Sequence, residues 1–331
     1  MKNKCCFIIP YFGKFPNYFN LFLNSCGYNK DFNWLIFTDD KYAYDYPDNT
    51  KVIYTSFEEI KSLIQSKFDF EIVLNKAYKL CDYKPVYGYV FDDFLKDYDF
   101  WGYCDVDLIF GNLSIFINDE ILSKYDKIGH LGHLTLYRNN QDINTLFKKN
   151  IDGRYRYKEV FTTSNICVFD EWDYISINDI FLKYHKKIFY DINCADIYPY
   201  SSYFQLVDNV PGKQTFLFSK KNHIGIYKNG CTYLMYYSFF NRKIKEYSYI
   251  HLQKRKMKTL VNEDNFAIYP NAFDSMHKNI FKIYILKCLS KKIFNLKKMN
   301  HMYKRLRFKI IVKTHSFRKK VKNVVGKDLN N

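Results

Sequence analysis

One segment constrains this chain more than any other: Phe100-Trp101-Gly102-Tyr103-Cys104-Asp105-Val106-Asp107-Leu108-Ile109-Phe110-Gly111, an apolar run broken by two aspartates. Aromatic residues of this density read as a buried strand. Carboxylates two apart at its end leave the interior together, at the edge of an open α/β sheet where ligands bind. Two close carboxylates repel, and a divalent cation shared with a phosphate offsets that cost. A lone D-x-D also arises by chance as a solvated strand end. The apolar runs on both sides and the following glycine favour a metal site.

The flanking sequence supplies the rest of a sheet. Residues 5–10 (CCFIIP) and 34–38 (WLIFT) are short apolar runs that read as buried parallel strands, with FPNYFNLFLNSCGYN a helix between them, closed at Gly27. Ser56 and Glu59 form a capping box, and Pro85 sits where the first turn of a helix through VYGYVFDDFL is expected. This alternation over the first 110 residues predicts an α/β doubly wound, mostly parallel sheet. Beyond about 115 the alternation is less regular, with candidate strands in KIGHLGHLTLYR, SNICVFD and YSYIHLQK. No repeat and no Gly/Ser linker divides the chain, so 1–115 and 116–275 read as two halves of one domain, followed by a tail over 276–331.

Composition excludes several classes. Nine scattered cysteines without a C-x-x-C argue against a disulfide framework or zinc ribbon and for reduced, buried thiols. No stretch approaches the roughly 18 apolar residues of a membrane span. The N-terminal run stops at Pro10 without a small-residue cleavage site, so it reads as a strand and not as a signal peptide, with an intracellular location expected. The 32 Tyr and 31 Phe fit an AT-rich genome and carry little functional weight. The charge is more telling: of the net +17, residues 278–331 hold +16, from 17 bases and one acid. Apolar residues there recur at helical spacing (Phe281, Ile285, Leu289, Ile293, Leu296, Met299, Tyr303, Leu306, Ile310), which predicts a basic amphipathic helix, or two.

The CDVD stretch, in a chain opening IIPYFGKFPNYFNLFLNSC and continuing through LIFTDD, KLCDYKPVYGYVF, DFWGYCDVDLIFGNL, LGHLTLYRNN and IHLQKRKM, resembles metal-dependent nucleotide-sugar glycosyltransferases of the GT-A fold. The closer resemblance is to a bacterial family associated with capsule and other surface-polysaccharide clusters. It spans residues 8 to 257 and implies that 1–115 bind the nucleotide-sugar while 116–275 serve the acceptor and complete the metal site.

Carried over residue by residue, the resemblance makes Asp105 and Asp107 ligands of Mn²⁺ or Mg²⁺ bridging the donor's phosphates. His251, in Tyr249-Ile250-His251, matches a late metal ligand of some retaining members, with Lys254, Arg255 and Lys256 beside the diphosphate. A structural histidine before a solvated basic turn is the competing reading. Pro10, Tyr11 and Phe12, then Thr38, Asp39 and Asp40, match the nucleotide-recognition positions, against plain turn or core roles. Asp82 and Lys84 precede the metal strand and are placed in the nucleotide pocket. Asn165 matches a donor-sugar contact, although Cys167 stands where a glycine is usual. Asp170, Glu171, Asp191 and Asp196 are the candidate catalytic carboxylates, of which one is expected to act directly. His130, His133 and Arg138 are assigned to the acceptor; the H-x-x-H spacing lacks further ligands, and strand geometry opposes a zinc site.

The resemblance implies transfer of a sugar from a UDP-sugar to a growing surface glycan, and the tail is expected on the inner face of the cytoplasmic membrane. The His251 match tilts this toward retention of configuration. Nucleic acid is not expected, because the body shows no basic groove or recognition motif. A nucleotidyltransferase using the same aspartates, or a non-catalytic membrane- or nucleic-acid-binding protein acting through the tail, remain the alternatives.

Overall fold

The computed structural model describes residues 2–171, 175–197, 204–210, 213–218, 223–238, 241–258, 261 and 264–275. One compact unit comprises Met1–Ile197 and Tyr203–His277. The tail predicted to be helical lies outside the described residues.

Its frame is a seven-stranded sheet built from β1 (Cys5–Tyr11), β2 (Phe32–Thr38), β3 (Thr50–Tyr54), β4 (Phe100–Cys104), β6 (Lys127–Leu131), β7 (Leu134–Arg138) and β8 (Ile188–Phe189), in the order β3-β2-β1-β4-β7-β6-β8. The remaining strand of this region, β5 (Leu108–Phe110), belongs to a second sheet. The first four strands of the order run parallel, but β7 is antiparallel to both β4 and β6. The fold is therefore mixed α/β. The departure from a parallel sheet has a local cause: β6 and β7 form a hairpin turning at Gly132 and His133, too short for the crossover that parallel pairing needs.

Alternate residues of β1 face opposite layers: Cys5, Phe7 and Ile9 pack with α1 (Phe19–Gly27), whereas Cys6 and Ile8 pack with α2 (Phe57–Ser66). Both faces are covered, which is why the strand reads as a continuous apolar run. The Ser56–Glu59 capping box opens α2. Pro85, expected in the first turn of an α-helix, instead lies near the end of a 3₁₀ segment (Ala77–Val86), with a short α3 (Tyr87–Val90) after it. SNICVFD is likewise not a strand but irregular chain, for a reason given below.

A second sheet, in the order β11-β10-β9-β15-β5, joins β9 (Ala195–Ile197), β10 (Phe204–Val210), β11 (Lys213–Phe218) and β15 (Tyr249–His251) to β5. A third, antiparallel, contains β12 (His223–Lys228), β13 (Cys231–Ser238), β14 (Asn241–Tyr247), β16 (Asn265–Tyr269) and β17 (Ala272–Ser275). Cys5, Cys6, Cys26, Cys81, Cys104, Cys194 and Cys231 are free thiols. Among the described residues no helix is long and apolar enough to cross a membrane.

Trp101 anchors β4: its ring stacks on Tyr137 at 4.5 Å and its Nε1 donates to Asn144 Oδ1 at 2.7 Å. Gly88 lies against the same indole, where a Cβ would fall 2.1 Å from the ring. Gly88→Ala is expected to cost about 1–3 kcal/mol by overpacking, read as a lower urea midpoint at unchanged slope.

Candidate functional site

β1 is flanked by β2 and β4, so the chain leaves β1 to one side and returns to the other. That arrangement is a topological switch point, and the crevice outside its strand ends is the place for a ligand. A cavity of about 720 Å³ lies there, lined from β1 and the residue after it by Ile8, Ile9, Pro10, Tyr11 and Phe12, and from β4 and the turn after it by Tyr103, Cys104, Asp105, Val106 and Asp107. Lys84, Lys254, Arg255 and Lys256 also line it, with Tyr18, Tyr78, Cys81 and Tyr87. The sequence reading missed those last four, because no spacing separates cavity aromatics from core aromatics in so tyrosine-rich a chain.

Strand register assembles the charged cluster. After Asp105 the chain turns at Val106-Asp107 into β5, which pairs antiparallel with β15 so that Leu108 opposes His251. On its other side β15 runs parallel to β9, where His251 pairs with Asp196. Asp107, Asp196 and His251 therefore meet: His251 Nε2 lies 3.4 Å from Asp107 Oδ2, and His251 Nδ1 lies 2.9 Å from Asp196 Oδ1. Ligand atoms of Asp105, Asp107 and His251 lie within 4.8 Å of one another, as do those of His133, Asp196 and His251.

His133, assigned to the acceptor, belongs to this cluster. Its carbonyl accepts the Asp105 N–H at 3.0 Å, and its ring lies 4.3 Å from that of His251. Its Nδ1 shares a hydrogen bond with the Tyr249 hydroxyl at 3.1 Å. The hairpin puts His133 in a turn and His130 on a strand, which is why their rings have different neighbours: His130 packs on Tyr190, His133 on His251, and neither lines the cavity.

The electrostatics are strongly coupled. Burial alone would raise Asp105, but Lys84, Lys254 and His251 outweigh it and bring it to about 2. Burial also opposes ionisation of Asp107, and His251 overcomes it. Burial would push His251 down, yet Asp107 and Asp196 hold it well above the usual imidazole range. His133, by contrast, is lowered to about 4, first by burial and then by the charge on His251. Lys84 donates to Asp105 Oδ1 at 2.7 Å and to the Gly132 carbonyl at 2.6 Å, with Asp170 Oδ2 at 3.6 Å. Asp170 and the half-buried Glu171 approach because residue 132 lacks a side chain: a Cβ there would lie 2.6 Å from Asp170 Oδ2 and 3.2 Å from Glu171 Oε2.

Several sequence-assigned residues are placed elsewhere. Asp39 and Asp40 do not line the cavity; Asp39 accepts the Gly13 N–H at 2.7 Å and Asp40 pairs with Lys14 at 2.6 Å, fixing the loop after β1. Thr38 is fully buried, its hydroxyl accepting the Asp40 N–H. Asp82 pairs with the buried Lys79 at 2.7 Å and accepts the backbone N–H groups of Cys167 and Phe169. These bonds occupy the backbone of 167–169, and Lys79 takes the Asn165 carbonyl, so SNICVFD cannot form a ladder and the Asn165 side chain faces solvent. Asp191 is exposed in the loop leading to β9. Arg138 sits at the opposite end of β7 from the cluster, facing Phe100, and caps the carbonyls of Leu122 and Tyr125.

Residues 7–277 match the family described as "Family of unknown function (DUF6625)", and the chain belongs to that family. The match takes in Asp105, Asp107, His133, Asp196 and His251. A search of the curated proteins found no match.

Burial raises the Asp170 carboxyl to about 7, against the opposing pull of Lys84. An acid with a raised folded pKa loses stability as pH climbs from its unfolded value, about 4, to that folded value. Asp170→Asn should therefore abolish a decline in unfolding free energy between about pH 4 and about 7, measured by urea denaturation across that range.

Proposed function

We propose that this chain is a GT-A glycosyltransferase moving a sugar from a nucleotide-sugar donor, a UDP-sugar, to a growing surface glycan of capsule or lipopolysaccharide type. The observation that carries the reading is the Asp105–Asp107–His251 cluster, whose two aspartates line a cavity at the carboxyl ends of β1 and β4. A divalent cation suits these donors: Asp107 Oδ1 is buried and has no hydrogen-bond partner among the described residues. Mixed carboxylate and imidazole ligands are compatible with Mn²⁺ or Mg²⁺, the carboxylates serving either ion and the imidazole favouring Mn²⁺. Asp105, Asp107 and His251 would hold the ion, which when bound supplies Lewis acidity toward a departing nucleoside diphosphate.

The chain's own residues do the rest. Lys84 and Lys254, on the cavity wall, offer positive charge to phosphate oxygens. Tyr11 and Tyr78 offer ring faces for a base; the Tyr11 ring is itself held by stacking on Phe15 at 4.6 Å. Bound this way, the donor presents its anomeric carbon to an acceptor hydroxyl in a fixed orientation. His251 must release its Nε2 proton to serve as a ligand, so cation affinity rises with pH.

The test is calorimetric titration of UDP in the presence of Mn²⁺. Binding that EDTA abolishes and Asp107→Asn removes supports the reading. Silence with UDP, GDP and CMP alike overturns it.

Residues 278–331 bring this activity to the inner face of the cytoplasmic membrane, where a lipid-linked acceptor resides. Their net +16 supports this, each base contributing about 1 kcal/mol near an anionic surface. The full chain is expected to sediment with phosphatidylglycerol-containing vesicles and to be released by high salt, whereas a chain ending at residue 277 stays in the supernatant. Equal sedimentation of both removes the membrane role of the tail.

A further inference from the structure

The two histidines and Asp196 form a buried group that the carboxylate pair alone does not require. His251 reaches Asp107 with Nε2 and Asp196 with Nδ1, so its two nitrogens have different partners. His251 is 5% exposed and Asp196 2%, so both partners of the Nδ1 contact are buried. Their alignment is set by backbone pairing, since the parallel register of β9 and β15 places the residues side by side. His133 closes the far side, its Nε2 4.0 Å from the same Asp196 oxygen and its ring against that of His251. Asp196 itself does not line the cavity, and its nearest partner in the cluster is the His251 imidazole.

We propose that Asp196 is a positioning residue that acts through His251: its carboxylate accepts the Nδ1 proton and so leaves the Nε2 lone pair facing Asp105 and Asp107 for a cation. This rests on the metal reading of the preceding section, and it removes Asp196 from the candidates for direct contact with the sugar. Carboxylates behind metal-binding imidazoles fix tautomer and ring orientation in this manner. Gln253 Nε2 also lies 3.1 Å from Nδ1, so an alternative partner for that nitrogen is at hand. Loss of the carboxylate would let an amide donate to Nδ1, move the proton to Nε2 and block the lone pair.

The experiment measures Mn²⁺ affinity by electron paramagnetic resonance in the full chain, without any substrate, and the absorption spectrum of the Co²⁺ form. Asp196→Asn is expected to weaken Mn²⁺ binding by about 10–100-fold and to give a Co²⁺ spectrum matching that of His251→Ala. In the His251→Ala background the same change should cost no further affinity, because the residue acts only through the imidazole. Asp196→Glu, which keeps the carboxylate, should bind more tightly than Asp196→Asn; it also serves if the amide variant unfolds. Wild-type affinity in Asp196→Asn, or additive losses in the double variant, would overturn the positioning role while leaving the metal site standing. A wild-type chain that binds neither Mn²⁺ nor Co²⁺ overturns the metal reading and this inference with it.

Discussion

Two carboxylates held within a few ångströms of each other, one of them buried, are the constraint around which this molecule is organised. At the 4.8 Å limit that bounds the Asp105–Asp107–His251 cluster, two unit charges repel by about 3–4 kcal/mol with an effective dielectric near 20. The fold offsets this with cations brought from two separate segments. Lys84 comes from the 3₁₀ segment, His251 from β15, and Lys254 contributes both its charge and its backbone N–H, which donates to Asp107. Lys84 and His251 would each be costly to bury alone. The arrangement is stable only as a set, so the site and the packing of the second sheet are one energetic unit.

That set exists because of strand topology more than because of any local motif. β4 ends at the switch point of the seven-stranded sheet, and the next strand, β5, crosses into a different sheet. The turn carrying Asp105 and Asp107 is thus the seam between two sheets. From one side the β6–β7 hairpin delivers Gly132 and His133; from the other, β9 and β15 deliver Asp196 and His251. Loops positioned by rigid strands in this way can hold charged groups to close tolerance without a flexible lid.

Legibility in the sequence followed the same division. The aspartate pair was legible because an apolar strand interrupted by carboxylates is a local pattern, and His251 because YIHL followed by bases is another. Asp196 was visible only as one of four loose carboxylates, since its role depends on the β9–β15 register, and no residue near it announces a partner 55 positions away. His133 is set apart from His251 if residues 127–138 form one strand; a two-residue turn instead brings its ring against that of His251. Asp39, Asp40 and Asp82 stand where pocket carboxylates were expected, but each is satisfied by a lysine or by backbone N–H groups of a neighbouring loop. A carboxylate that clamps a loop and one that binds a ligand look alike in a sequence.

The segment following His251 shows how the backbone is recruited to the same end. Gln253 and Lys254 are consecutive non-glycine residues with φ of 56° and 54°, a conformation that costs about 1 kcal/mol or more at each. Such strain persists only where the surroundings over-determine it. Here they do: the Leu252 N–H donates to the Asp107 carbonyl at 2.8 Å, and two residues later the Lys254 N–H donates to the Asp107 side chain. An extended continuation of β15 would carry Lys254 and Lys256 along the sheet and away from the cavity that both now line. The left-handed turn therefore converts a strand end into a charged rim, and its cost is offset by the bonds to the aspartate whose charge it helps to hold.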